Sequence, residues 1–356
     1  MLRRFLSSDS CCRLSRRRPP SELFRGFSPI TSQLILQVSV HFYSLAVAAD
    51  SEWTSIKTIQ TRIIRAEVLQ ESNLPGRTLA ECMAMEELIE THRIPLAPKD
   101  ILNIKRLKLT SAYQLRLLDL TTRCLKEYET LNGAPEVIEL HKTNLELRLA
   151  ERGGNYEWWR LHVQRTGMNI DVSDFLGPVS IDAVRGQGRC VTLTRDVAPG
   201  EMISVEKAIL RATSARYKPS SCSVSEADDP TSIQHLDLAS LAVEAILADP
   251  SKVAMFDSLT PAPYRHSPLI KESKRLEMIV AGVGNIDMDE IRRKIAENLI
   301  PYPAVDGVKS GVMVFPFMSL ITHSCLPTAM IHTIGDVRKA IAVLIVRLKS
   351  LQPAAT

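Results

Sequence analysis

Between Leu320 and Asp336 the chain reads LITHSCLPTAMIHTIGD, with His323, Ser324, Cys325 and Pro327 crowded into an otherwise apolar run. Apolar alternation on either side is the pattern of a buried strand or core segment. On a strand, His323 and Cys325 share one face, because side chains alternate with a period of two. Three chemistries use such a pair: a metal site, a cysteine nucleophile with a histidine base, or a backbone turn that grips a ligand. A nucleophilic cysteine needs an accessible, electropositive niche to lower its pKa, and an apolar run does not offer one. His323 without a partner motif reads, by itself, as a satisfied core histidine. Structural zinc needs four nitrogen or sulfur ligands at close spacing. The seven cysteines form no C-x-x-C pair, and Cys82, Cys124, Cys190, Cys222 and Cys325 stand isolated. No metal is expected.

A second chemical signal is RGQGRC, Arg185–Cys190. Two glycines one residue apart let a backbone approach a ligand without interference from a Cβ. The segment lies between two expected strands and opens no helix, so it is not a dinucleotide fingerprint. By itself it reads as a turn. GVGN at Gly282–Asn285 is read as a loop, and Trp158-Trp159 as a cap on a helical core.

These segments need a frame. From about Ser55 to Leu149 the period is helical, with Thr78-Leu79-Ala80-Glu81 as a capping box and Leu115, Leu118 and Leu125 on one helix. Asn132-Gly133 stops that helix, Pro135 opens the next, and Gly153-Gly154 ends it. Antiparallel helix pairs of this kind suggest a tetratricopeptide-like array, although no fixed period repeats. At Gly177-Pro178 the period changes to that of strands: PVSIDAV, RCVTLT and EMISVEKAI, where Ile203 and Val205 alternate with Ser204 and Glu206. A helix ending at Asp249-Pro250 and another capped by Asp287 follow, and strands return around VMVFPFMSL and KAIAVLIV. Strands, a helical insertion, then strands again make an α+β class.

Composition sets outer bounds. The chain has 356 residues, 45% hydrophobic and 24% charged, with a formal net charge of +4. The first thirty residues hold seven arginines against Asp9 and Glu22, so the rest is within one charge of neutral. A nearly neutral body gives no electrostatic case for direct nucleic-acid binding. The scattered cysteines fit a reducing compartment, cytoplasmic or nuclear. The Arg- and Ser-rich N-terminus supports a mitochondrial alternative. The apolar stretch after it is broken by Gln33, Gln37 and His41, and no membrane span is expected.

Taken in order, GPVSIDAVRGQGRCVTLTRDVAPGEMISVEKAI, an insertion, and THSCLPTAMIHTIGD resemble a SET domain. They look most like the split SET domains that follow tetratricopeptide repeats in many fungal proteins. The family's G-P-V, its Gly-rich cofactor segment, its V-x-x-G-E and its E-K-A are matched by Gly177-Pro178-Val179, Gly186–Cys190, Val197 with Gly200-Glu201, and Glu206-Lys207-Ala208. Its N-H-S-C-x-P-N-A and I-G-D are matched by Thr322–Ala329 and Ile334-Gly335-Asp336. LAERGGNYEWW resembles the family's bridge from repeats to SET domain.

The resemblance implies a β-rich split SET fold with a helical insertion, preceded by an all-α, tetratricopeptide-like region. Residues 1–54 would be a basic extension, 55–165 the helical region and 177–356 the SET domain. That domain would divide into a first half (177–210), an insertion (211–310) and a second half (311–356), truncated at its C-terminus. It implies S-adenosyl-L-methionine held by Gly186, Gln187, Gly188, Arg189 and Cys190 together with Thr322 and His323. The implied reaction is methyl transfer to a lysine of a protein substrate. Thr322 and Thr328 stand where the family has Asn, and Cys190 where it has Gly. Threonine cannot reproduce the paired donor and acceptor of a carboxamide. Pro353–Thr356 stands at the turn that precedes the family's channel tyrosine, and Tyr264 and Tyr302 do not match that place. The expected tyrosine thus lies beyond the chain's end, no catalytic residue is assigned, and impaired catalysis is expected. The alternative is a non-catalytic scaffold in which the helical repeats bind a protein partner.

Overall fold

The structure is a computed structural model that describes residues 38–45, 55–163, 171–184, 188–213, 230–259, 270–284, 287–302, 311–321, 328–334 and 341–346. After a helical stretch at 38–45 come five helices, α1 (Ile56–Glu71), α2 (Pro75–His92), α3 (Pro98–Gln114), α4 (Leu118–Thr130) and α5 (Pro135–Arg152), followed by the short α6 (Trp158–Val163). Helices α1 to α5 end in the same way. Asn73, Arg93, Arg116 and Asn132 take left-handed φ between 50° and 57°, and Gly154 takes 88°. One residue further on, the N–H of Leu74, Ile94, Leu117, Gly133 or Asn155 donates to the carbonyl five residues back, at 2.9–3.1 Å. This is the Schellman stop, which satisfies carbonyls that a helix end would leave orphaned. A non-glycine residue in that conformation costs roughly 1–2 kcal/mol. Burial of the apolar residue that follows, Ile94 or Leu117, offsets it.

Two of these stops differ from the expectation. Arg116 breaks the run that holds Leu115, Leu118 and Leu125, so Leu115 is the C-cap of α3 while Leu118 and Leu125 lie on α4. The helix expected to start at Thr78 starts instead at Pro75, whose fixed φ suits the first turn and whose missing N–H is no loss there. Thr78 is buried inside the helix with its hydroxyl donating to the Leu74 carbonyl at 3.1 Å. Glu81 is not a cap. It lies between Arg62, at 3.3 Å, and Arg65 of α1.

The chain forms two compact units. The first takes the described residues up to Leu145, with Leu247–Pro250 and Arg275–Gly282. Its core gathers Ile59, Ile63, Ala66, Cys82, Met85, Ile104 and Leu107. Lys105 bridges Glu86 and Glu127 at 2.7 and 2.6 Å, and Lys108 reaches Glu86 at 2.5 Å, so charges on α2, α3 and α4 are matched at the core's edge. Arg275 donates to the Leu115 carbonyl at 2.8 Å and meets Asp249 at 3.2 Å. Burial pushes the Cys124 thiol up to about 11 and the Cys82 thiol higher still, so neither is a nucleophile at neutral pH.

The second unit holds all the described strands: β1 (Phe175–Leu176), β2 (Val179–Val184), β3 (Gly188–Leu193), β4 (Met202–Lys207), β5 (Leu210–Thr213), β6 (Leu299–Tyr302), β7 (Gly311–Val314), β8 (Ala329–Ile334) and β9 (Ile341–Val346). They form three small antiparallel sheets: β1-β4-β9-β8, the hairpin β2-β3, and β5-β7-β6. Helices and segregated antiparallel sheets make the fold α+β. The helices between β5 and β6 are α7 (Pro230–Ala248), α8 (Lys252–Ser258), α9 (Glu272–Ala281) and α10 (Met288–Glu297). The last is capped as expected, with Asp287 Oδ1 accepting from the N–H of Asp289 and Glu290 at 3.0 and 3.1 Å.

Pairing joins strands that the helices separate in sequence. Lys207 pairs with Ile341 across β4 and β9, and Leu210 with Val314 across β5 and β7. Below them Ile203, Met313, Phe315, Phe317, Met318, Ala342 and Leu344 make one buried cluster, against which Val179, Ile181 and Val191 of the hairpin also pack. Phe315 is fully buried there. Phe315→Ala should therefore cost about 3–5 kcal/mol of stability. Chemical denaturation would read this as a lower midpoint, and an unchanged midpoint would mean that the shared core does not hold the strands together.

Candidate functional site

The hairpin that carries the Gly-rich segment is fixed by its two faces. Val179, Ile181 and Val191 point into the core, while Ser180, Asp182 and Thr192 form a polar clasp on the other face. Ser180 Oγ lies 2.7 Å from both Asp182 Oδ2 and Thr192 Oγ1, and Thr192 also donates to Asp182. These hydroxyls, Ser180 first, hold the Asp182 carboxyl below the usual range. The register runs from Val179–Leu193 to Val184–Gly188. Gly188 thus heads β3, with Arg189 paired to Ala183 and Cys190 to Asp182. Gly186 and Gln187 lie outside the described residues, as do Thr322 and His323, so the structure does not test whether these four meet.

What the structure does place are the ends of the second motif. β3 lies against the 3₁₀ turn Met318–Leu320. Ile321 leaves that turn in extended conformation, its N–H bonded to the Met318 carbonyl. Ile321 and Ala329, which bracket residues 322–328, pack on the same cluster as Val179, Ile181 and Val191.

The turn is held by a residue that the sequence reading assigned to a polar strand face. Glu206 accepts from the backbone N–H of Phe317 through Oε1 at 2.8 Å and of Met318 through Oε2 at 2.9 Å, 111 and 112 residues away. The alternation expected in β4 fails because of a bulge. Met202 pairs with Ile345 and Ser204 with Leu344, so Ile203 is the extra residue. Met202 and Val205 then face one cluster with Leu161, Val172, Ile341 and Val343. Ile203 faces the other cluster, and Glu206 reaches the turn beside it. Ser204 and Glu206 are 0% and 8% exposed, so the strand is covered on both faces. The available signal was an acid in a strand that also carries Met202, Ile203 and Val205.

Burial pushes the Glu206 carboxyl up to about 8. The Phe317 and Met318 N–H groups oppose that rise, and the nearby Asp174 charge adds to it. Asp174 in turn accepts from the Lys207 N–H at 2.8 Å. At the back of the sheet, Gly177 permits a close approach, since a Cβ there would stand 2.8 Å from the Ile203 carbonyl oxygen.

A cleft of about 450 Å³ lies at the bridge into the strands, lined by Leu147, Glu151, Asn155, Tyr156, Glu157 and Trp158 among others. Glu151 and Tyr156 are already engaged. Glu151 Oε1 takes Arg148 and Arg160 at 2.8 and 2.7 Å, and Oε2 takes the Ser173 N–H at 2.8 Å. Tyr156 donates to the Ser173 carbonyl at 2.7 Å and stacks on Trp158 at 4.9 Å between centroids. The cleft therefore clamps the segment leading into β1. The pair does not cap a helical core: Trp158 packs on a cluster that includes the strand residues Val205, Ile341 and Val343, and Trp159 is 67% exposed.

Comparison with models of known protein families, with curated proteins and with solved structures finds no match. Among the described residues no three His, Cys, Asp or Glu side chains converge on a metal site, and no helix is long and apolar enough to cross a membrane.

The raised Glu206 carboxyl makes a pH prediction. An unfolded glutamate ionises near 4.3, while folded Glu206 keeps its proton until about 8. Between those values the unfolded state binds fewer protons, so stability falls as pH rises and flattens above about 8. Denaturation midpoints from pH 4 to 9 should show that decline in the wild type, and Glu206→Gln should flatten it. An equal decline in both proteins would assign the effect to other groups.

Proposed function

We propose that this chain is a protein of the split SET kind, built to bind S-adenosyl-L-methionine and to present a protein lysine to it. One observation carries the reading. The hairpin headed by Gly188 and the residues bracketing the Thr322–Thr328 segment, Ile321 and Ala329, are held on one core although the helical insertion separates them in sequence. A cofactor gripped jointly by the Gly186–Cys190 and Thr322-His323 segments requires that convergence. The described residues fit the group in one respect: the head of β3 is a glycine, whose missing Cβ permits close approach of a ligand to the backbone. Gly186, Gln187, Gly188, Arg189 and Cys190, with Thr322 and His323, would hold the cofactor.

The cofactor, when bound, supplies an electrophilic methyl. The chain's own part is to hold it, align a neutral lysine amine and exclude water, and such positioning supplies much of the rate in a displacement. The substitutions Thr322, Thr328 and Cys190 favour a second reading, a non-catalytic scaffold whose helical unit binds a protein partner. The reducing compartments remain the proposed location, cytoplasmic or nuclear, with mitochondria as the alternative.

Calorimetry with S-adenosyl-L-methionine separates the readings. A hydrogen bond to a charged ligand group contributes roughly 1.5–3 kcal/mol, or about ten- to a hundredfold in affinity. Thr322→Asn should therefore tighten binding by about that factor, and Gly188→Arg should abolish it. Absence of binding in both the wild type and Thr322→Asn would favour the scaffold. A radiolabelled methyl-transfer assay with mixed protein substrates is expected to show weak turnover or none.

A further inference from the structure

The Glu206 clasp holds the turn just ahead of the second motif. It joins β4 to the turn from which the chain enters Thr322, and both carboxylate oxygens are used. We infer that Glu206 is a positioning residue: it sets where the Phe317–Leu320 turn sits beside the Gly188 strand, and the proton on its carboxyl decides how firmly the turn is held. This rests on the reading of Thr322 and His323 as cofactor residues, and it names a control on that site.

The surroundings support a proton-dependent joint. On the sheet side Glu206 pairs with Ala342, flanked by Ile341 and Val343, and none of these ionises. The turn offers Phe317, Met318, Ser319 and Leu320, also without an ionisable group. Beyond β4 itself, the charged group acting on Glu206 among the described residues is Asp174, just ahead of β1. Its negative charge resists ionisation of Glu206. Lys207, next along β4, points to the opposite face by strand alternation. An ionised Glu206 gains charge-assisted bonds from two N–H groups, yet loses its water, and among the described residues no ion pair with a cation offsets that loss. A detached side chain regains that water. Rising pH therefore favours detachment, and the turn loosens as Glu206 ionises.

The test is hydrogen exchange on the full chain at pH 6–9, corrected for intrinsic rates, with S-adenosyl-L-methionine calorimetry over the same range. In the wild type, protection of the Phe317 and Met318 amides should fall at least tenfold as pH rises, while β4 and β9 stay protected. Glu206→Gln, which keeps the volume and one acceptor, should lower protection but remove the pH step. Glu206→Ala should lose protection at these two amides at every pH. Cofactor affinity should weaken with pH in the wild type and not in Glu206→Gln. A pH step that survives in Glu206→Gln would overturn the inference, as would full protection in Glu206→Ala. Uniform loss of protection over all strands, or failure of both variants to fold, would also overturn it by making Glu206 a general stability residue. Absence of cofactor binding at any pH would remove the methyl-donor reading, and the exchange arm would still decide the clasp.

Discussion

A strand covered on both faces has no solvent to offer a charged side chain, and β4 places Glu206 in that position. The arrangement of the second unit follows from how this is resolved. The carboxyl group can be buried only where it keeps its proton and polar partners reach it, since an isolated buried charge is prohibitively costly. The donors are two free N–H groups at the start of a 3₁₀ turn, groups that a helical turn leaves orphaned. Each defect satisfies the other. The contact fixes against β4 the turn that leads the chain toward Thr322.

The same unit shows why a bulge at Ile203 matters. Without it, Ile203 and Val205 would share a face, as simple alternation requires. With it, Met202 and Val205 serve one cluster, while Ile203 serves the other and Glu206 reaches the turn beside it. One inserted residue lets a single strand seal two cores and still aim an acid at the turn. The Glu151 network at the bridge works by similar logic. A buried carboxylate surrounded by Arg148, Arg160 and the Ser173 N–H anchors the segment entering β1, which pairs with β4. Two buried acids thus bracket the central strand from its two approaches.

The functional reading depends on convergence and on chemistry, and these have different standing in the molecule. Convergence is geometric: strands on both sides of a long helical insertion share one sheet and one core. The proposed chemistry would fall to Gly186, Gln187, Thr322 and His323. Threonine in place of a carboxamide, and Cys190 at the third glycine position of the family motif, shift the expectation from an efficient transferase toward a weak binder or a scaffold.

The sequence by itself determined the features whose causes lie within one turn of chain. Pro135 opens α5 and Asn132 stops α4, and Asp287 caps α10 with its own carboxylate. Strands β2, β3, β4 and β9 follow from alternation and composition, and the α+β class follows from their order. Tertiary structure decided what depends on distant partners. Arg116 and Arg93 carry no local signal for a left-handed stop, because burial of Leu117 and Ile94 is what favours it. Thr78 looked like a cap because the capping motif is local, whereas Pro75 and the two arginines that claim Glu81 set the actual start. The bulge at Ile203, the pairing of Lys207 with Ile341 and the burial of Glu206 all arise from contacts more than a hundred residues apart. Nothing within β4 can specify those, since an acid in a strand faces water unless another part of the chain arrives to cover it.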